Sequence, residues 1–277
     1  MSQLNQVWEK CTFVAFDTET SGAYPLGADI VEFGAVKWRA GEVIAEYQTL
    51  LKPKHPMTPF NISIHGITNE MVEDAPPMKE KISEIRDFLG DAILVAHHAP
   101  FDLGFVAVDF ERNRIPFPQE PVLCSSLLSR RLIPESHNHK LQTLISYLKI
   151  DGGQAHRAND DARACLQVAL ECFRRAGAQA TIADLIGLQG KDLHWSAYQI
   201  LDNSDIKFVK VVEAIEDQRP LDLVYEGGSK GAEVRRISPF GIVRNPDGDY
   251  VMALCHKDAT NKRFYIGKMK DVAVAYD

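Results

Sequence analysis

No apolar run in this chain approaches the roughly 20 residues that a helix needs to span a bilayer, so no membrane segment is expected. The first ten residues hold no basic stretch followed by an apolar one; with no secretory signal visible, a cytoplasmic location is expected. Cysteine is scarce. The five in 277 residues are odd in number, and none forms a Cys-x-x-Cys pair, which excludes a disulfide framework and a zinc knuckle. Cys165 and Cys172, seven apart in a helical pattern, are expected to pack as small apolar side chains. Positive charge is not in excess either. The net charge is −7 and neither half of the chain is a basic clamp, which argues against a tight, non-specific grip on nucleic acid. It does not exclude an acidic site that brings its own cations. Internal repeats and low-complexity tracts are absent.

What is present is an ordinary globular composition, 45% hydrophobic and 25% charged, long enough for one large domain or two modest ones. Residues 12–17 read as a buried strand, and 29–38 and 43–51 as a hairpin turning at 39–42. Residues 52–59 are too proline-rich for regular structure. Ile82, Ile85, Phe88 and Leu89 form a helical stripe, 92–96 a short buried strand, and Pro100 suits the first position of a helix. A last strand is expected at 122–123, with helices near 125–132, 140–148 and 160–175. Three strands followed by strands alternating with helices predict an α/β fold, a mixed sheet flanked by helices. The pattern weakens at 176–191, where a boundary is placed. Beyond it come a helix at 206–217 and five short strands at 221–225, 233–243, 250–255, 263–266 and 272–276, with turns at 226–229 and 245–248: a small all-β barrel or sandwich. The organisation expected is therefore an α/β domain over 1–176, a linker with a short helix over 177–204, and a small β domain over 205–277.

Five side chains carry the chemistry. Asp17 and Glu19 end the first strand two residues apart, so strand geometry points both to one side, where a cation can bind both. Asp102 falls in the first turn of a helix, where the macrodipole favours negative charge whatever its role. Asp161 extends the apolar face formed by Cys165, Val168, Ala169 and Cys172, so it points at the sheet rather than at water. An inward carboxylate needs a partner, and a metal shared with Asp17 and Glu19 serves. His156 sits on the loop just before that helix, placed to take a proton from an attacking water. Oxygen ligands suit Mg2+ or Mn2+ rather than zinc, and two such ions about 3.5–4 Å apart are the arrangement of a phosphodiester hydrolase.

These residues, with the stretches 16–22, 29–36, 64–68, 95–102, 139–141 and 156–162, resemble the DEDDh branch of the DnaQ-like 3′→5′ exonuclease family over roughly residues 10–175. The resemblance implies a ribonuclease H-like five-stranded sheet and stepwise release of nucleoside 5′-monophosphates from 3′ ends. It implies that Asp17 bridges two metals, Glu19 and Asp161 bind the first, Asp102 serves the second, and His156 is the general base. Thr18, Thr20, Ile64 and His65 are expected to line the 3′-terminal nucleotide pocket. Many relatives have His-Asn-Ala where this chain has His97-His98-Ala99, and threonine where it has Ser125; neither replaces a metal ligand. Residues 205–277 resemble a WYL domain, a Sm-like β-barrel of bacterial regulators, with Asp249-Tyr250-Val251 at the Trp-Tyr-Leu position. Basic residues with Tyr225, Phe240, Tyr250 and Phe264 interleaved offer stacking to single strands or a small ligand there, though at least half of those rings are expected in the core. The substrate expected is a nucleic acid with a free 3′ end, DNA ahead of RNA. A nucleic-acid-binding regulator acting through the β domain is the alternative from outside enzymology.

Overall fold

The computed structural model describes residues 3–226 and 232–275; most of the turn expected at 226–229, and Tyr276 of the last expected strand, lie outside them. Strands β1 (Thr12–Thr20), β2 (Ile30–Arg39), β3 (Glu42–Leu50), β4 (Ile93–Ala96) and β5 (Val122–Cys124) form one sheet in the order β3-β2-β1-β4-β5. The first three are antiparallel, and β4 and β5 run parallel to β1. This is the mixed sheet that the alternation of elements predicts. Period-two alternation along β1 divides the core. Val14 and Phe16 join helices α2 (Met78–Leu89) and α3 (Pro100–Asn113) on one face. Phe13 and Ala15 face the cluster of α4 (Ser125–Leu132), α5 (Leu141–Leu148) and α6 (Ala158–Ala176) on the other.

Local chemistry explains a helix absent from the sequence reading. The proline-rich stretch ends in α1 (Pro59–His65), with Pro59 in its first turn, the Thr58 side chain accepting from the Asn61 N–H and Gly66 closing it at φ 71°; proline is tolerated there because its missing N–H would be unpaired anyway. Residues 177–204, expected as a linker with a short helix, contain α7 (Ile182–Gln189) and bury apolar side chains on both faces of the first sheet. Ile182 and Leu185 join the α6 side, while Leu193, Trp195 and Tyr198 are buried on the α3 side. Trp195 stacks on Phe16 with ring centroids 6.1 Å apart.

A second, antiparallel sheet follows α8 (Ile206–Glu216). Strands β6 (Leu221–Glu226), β7 (Ala232–Val243), β8 (Tyr250–Cys255), β9 (Thr260–Tyr265) and β10 (Met269–Val274) lie in the order β10-β6-β7-β8-β9. Five strands were expected; β9 and β10 each begin three residues earlier than read, and among the described residues no pairing between them closes the sheet. Tyr225 and Phe264 are buried in its core and meet edge to face at 5.2 Å. The sheet is docked on the first domain. Glu111 of α3 accepts the N–H groups of Ile200, Leu201 and Asp202 at 2.8–3.2 Å, and Val108 of α3 belongs to the second core. Tyr24, in the β1–β2 loop, lies so close to Gly241 that a Cβ there would stand 2.3 Å from it. No helix among the described residues is long and apolar enough to cross a membrane.

One approach matters most for the site. A Cβ on Gly34 of β2 would lie 2.2 Å from the Asn159 nitrogen and 2.3 Å from the Ala158 carbonyl carbon. These are backbone atoms at the start of α6, which no rotamer change can move. Gly34→Ala is therefore expected to cost about 1–3 kcal/mol or more, as overpacking does, and to loosen the start of α6 first. Chemical denaturation with amide exchange along α6 checks this; a variant as stable as the parent would contradict the close packing.

Candidate active site

The end of β1 gathers the acidic side chains. Glu19 and Asp161 are buried and His156 is exposed, and a ligand atom from each lies within 4.8 Å of the others. Asp17, one strand period before Glu19, stands beside them. The N–H and hydroxyl of Thr18, on the opposite face of the strand, both donate to one oxygen of buried Asp102, at 3.0 and 2.8 Å. Asp161 is oriented by the His156 N–H, which donates to Oδ2 at 2.9 Å, and by Gln142 Nε2 of α5, which donates to Oδ1 at 3.4 Å. His156 itself adopts φ 60°, a left-handed conformation uncommon for a residue with a side chain. The bend turns its N–H back onto Asp161.

The electrostatics are those of a site short of positive charge. Burial, then the charges of Asp102, Glu19 and Asp161, push Asp17 well above the usual carboxylate range. Burial and neighbouring Asp161 raise Glu19 to about 8. Asp102 is pushed up by burial despite the Thr18 hydrogen bonds, and Asp161 is pushed up by burial despite the His156 N–H. Among the described residues no hydrogen-bond donor reaches the Asp17 or Glu19 carboxylates. Oxygen donors without partners, raised toward neutrality by one another, fit hard divalent cations.

Of the five residues singled out from the sequence, Glu19, His156 and Asp161 converge, Asp17 lies close enough to feel the charges of Asp102, Glu19 and Asp161, and Asp102 is bonded to Thr18 between Asp17 and Glu19. The nucleotide-pocket candidates divide. Thr18 is committed to Asp102, and the Thr20 hydroxyl donates to the Gly22 carbonyl at 2.7 Å. Ile64 is 46% exposed on α1. His65 is buried; its Nδ1 accepts from the Ile67 N–H at 3.0 Å, which leaves the proton on Nε2, near the Thr20 backbone but without a well-formed hydrogen bond among the described residues. His139 is tied to its neighbours: its ring meets the Ser129 hydroxyl at 3.1 Å and its carbonyl meets His97 Nε2 at 3.1 Å.

Sequence reasoning gave no role to Glu32, although it lies in one of the resembling stretches. It is fully buried on β2, opposite Glu19 in the strand register. Arg157 donates to both its oxygens, with Nη2 at 2.7 Å and Nε at 3.1 Å, and the Ala158 N–H donates at 3.0 Å. Burial alone would raise its pKa, but these bonds and one from Gln48 hold it below the ordinary value. The available signal was a lone charge inside the apolar run Ile30-Val31-Glu32-Phe33.

Residues 14–169 match the family model described as Exonuclease, and residues 207–274 the one described as WYL domain. The DNA polymerase III PolC-type of Latilactobacillus sakei is 41% identical over 158 residues, 57% of this chain and 11% of that protein. The Bacillus subtilis protein of the same name is 36% identical over 173 residues, 62% of this chain and 12% of that one. The chain thus spans about a tenth of the length of these curated relatives. Among solved structures, the nuclease domain of 3′hExo, described as a DEDDh family member bound to rAMP, superposes with a TM-score of 0.53 at 17% identity, covering 64% of this chain and 98% of that one. At that identity the likeness concerns the fold, a mixed sheet flanked by helices. With the Exonuclease model spanning more than half of its residues and an acidic cluster at the end of β1, the chain belongs to the exonuclease family.

Proposed function

We propose that this protein removes nucleoside 5′-monophosphates from the 3′ ends of DNA with the help of two Mg2+ or Mn2+ ions. The observation that carries the reading is the set of buried, mutually repelling carboxylates that converge with an exposed histidine. Asp17, Glu19 and Asp161 would hold one ion, and Asp17 with Asp102 the other. Such ions supply Lewis-acid stabilisation to the scissile phosphate and the leaving 3′ oxygen. His156 would accept the proton of the attacking water, with its backbone anchored on Asp161 so that the ring stands at the open side of the cluster. His65 Nε2–H and the apolar Ile64, with backbone groups near Thr18 and Thr20, would seat the terminal nucleotide. DNA is favoured because relatives 36–41% identical to this chain are named as DNA polymerases.

The division into an exonuclease domain over 1–176, a connecting segment over 177–204 and a WYL-like domain over 205–277, with closure of the latter into a Sm-like barrel, is part of the same proposal, as is a cytoplasmic location. A stretch of single strand or a small nucleotide-like ligand would meet the second sheet at Tyr250 and Tyr265. Arg263 and Lys268 lie over these rings at 4.9 and 5.6 Å, and the rings meet edge to face with centroids 6.0 Å apart.

Digestion of matched 3′-labelled and 5′-labelled DNA and RNA oligomers, with and without Mn2+, tests the reading. Monophosphates are expected to appear first from the 3′ label, faster from DNA. Asp17→Asn is expected to reduce their release by more than the roughly 10–100-fold typical of groups beyond the metal ligands. A protein that binds oligomers and never shortens them would leave the regulator reading in its place.

Metal-free stability gives a second test. A carboxyl raised by folding binds more protons folded than unfolded, so stability is lost as pH rises, for Glu19 between its ordinary 4.5 and about 8. In EDTA at pH 8, Glu19→Gln is expected to raise Tm by about 2–4 °C for each kcal/mol of repulsion relieved. At pH 5 it should change Tm little, and Mn2+ should stabilise the parent more than the variant. A Tm at pH 8 equal to or below the parent's would count against the crowding of charge.

A further inference from the structure

We infer that Glu32 is a positioning residue, which fixes the backbone between His156 and Asp161 for the reaction without touching the substrate. Its carboxylate has no exposed surface, and its bonds run to the segment that begins α6. Three donors from residues 157 and 158 converge on it, and Gln48 Nε2 of β3 adds a fourth at 2.8 Å. Two parallel bonds from a guanidinium define a plane as well as a distance, so Arg157 is held in orientation and its neighbour His156 starts from a fixed point. The Ala158 N–H belongs to the first turn of α6, which has no intrahelical acceptor. Glu32 thus closes that end of the helix from another strand. Two residues along β2, Gly34 lets the backbone of Ala158 and Asn159 come into contact with the strand. The two positions together seat the start of α6 on β2, and His156 in turn donates to Asp161 at 2.9 Å.

Glu32 differs from its acidic neighbours in one respect that separates two roles. Among the described residues no donor reaches Asp17 or Glu19, whereas both oxygens of Glu32 are engaged by donors of this chain. A carboxylate so occupied orients residues rather than holding a cation.

The test uses the full chain and rests on the proposed exonuclease reading only for its kinetic arm. Glu32→Gln keeps an acceptor and loses the charge; Arg157→Ala removes the fork from a partly exposed position, and serves if the first variant folds poorly. Amide exchange at residues 156–161 is expected to speed up by about tenfold in either variant, the loss of one charge-assisted bond. Mn2+ binding, followed by direct titration, is expected to stay close to the parent's. In kinetics, kcat should fall by roughly 10–100-fold with KM nearly unchanged, and the double variant should be no worse than the poorer single one. Arg157→Lys, which keeps the charge and not the fork, should restore only part of kcat. Unchanged exchange at 156–161 overturns the inference. So does Mn2+ affinity falling in step with kcat, which would make Glu32 a metal-site carboxylate, or losses that multiply in the double variant. A parent that shortens no oligomer defeats the exonuclease reading alone, and the exchange and Mn2+ results still decide the role of Glu32.

Discussion

Bringing like charges together at a dry strand end is the constraint on which this structure depends. Buried carboxylates repel one another more strongly than exposed ones, because little water separates them. The protein meets that repulsion unevenly. Asp102 receives two bonds from Thr18, Asp161 one from the backbone of His156, and Glu32 four from Arg157, Ala158 and Gln48. Asp17 and Glu19, at the centre, receive none. Oriented oxygens at the margin and unpartnered oxygens in the middle are what a cation site requires before its cation arrives. The large core clusters on both faces of β1 supply the rigidity that keeps such a group from splaying.

How much of this was legible in the sequence follows from how local each signal is. Strand periodicity put Asp17 and Glu19 on one side, and helical periodicity turned Asp161 inward; both are short-range rules, and both residues stand where they point. The proline-rich stretch is irregular as read up to its last residue, and only the helix it starts was missed, because proline excludes helix interiors yet begins helices well. Trp195 and Tyr198 lie just past the stretch where the pattern weakens, in a segment read as linker, although two large rings there could have signalled burial. The bonds of Glu32 to Arg157 and Ala158 were out of reach, since these partners lie 125 and 126 positions away and no period links them. His98 is a gentler case. It adopts φ 61°, a left-handed conformation in which asparagine and histidine are both enriched, so the departure from His-Asn-Ala keeps the backbone requirement while changing the side chain.

Charge counted along the chain was a poor guide to the second sheet. Its basic residues were expected to offer contacts to a ligand, but five of them are paired within the sheet. Arg235 and Lys262 meet Asp258, Arg236 meets Asp222, Arg244 meets Asp249 and Lys270 meets Glu226. Arg263 and Lys268 sit on tyrosine faces instead. The surface available to an anion is therefore narrower than the composition of this region implies, and it coincides with its exposed rings.

The two sheets meet through one rigid element. Helix α3 carries Asp102 in its first turn, at the acidic cluster, and Val108 and Glu111 further on, where they enter the second core and collect the N–H groups of residues 200–202. The β1–β2 loop makes a parallel link, from Thr20 at the site to Tyr24 against Gly241. Asp102 and the residues that meet the second core thus lie on one helix, so the acidic cluster and the second sheet share a packed element.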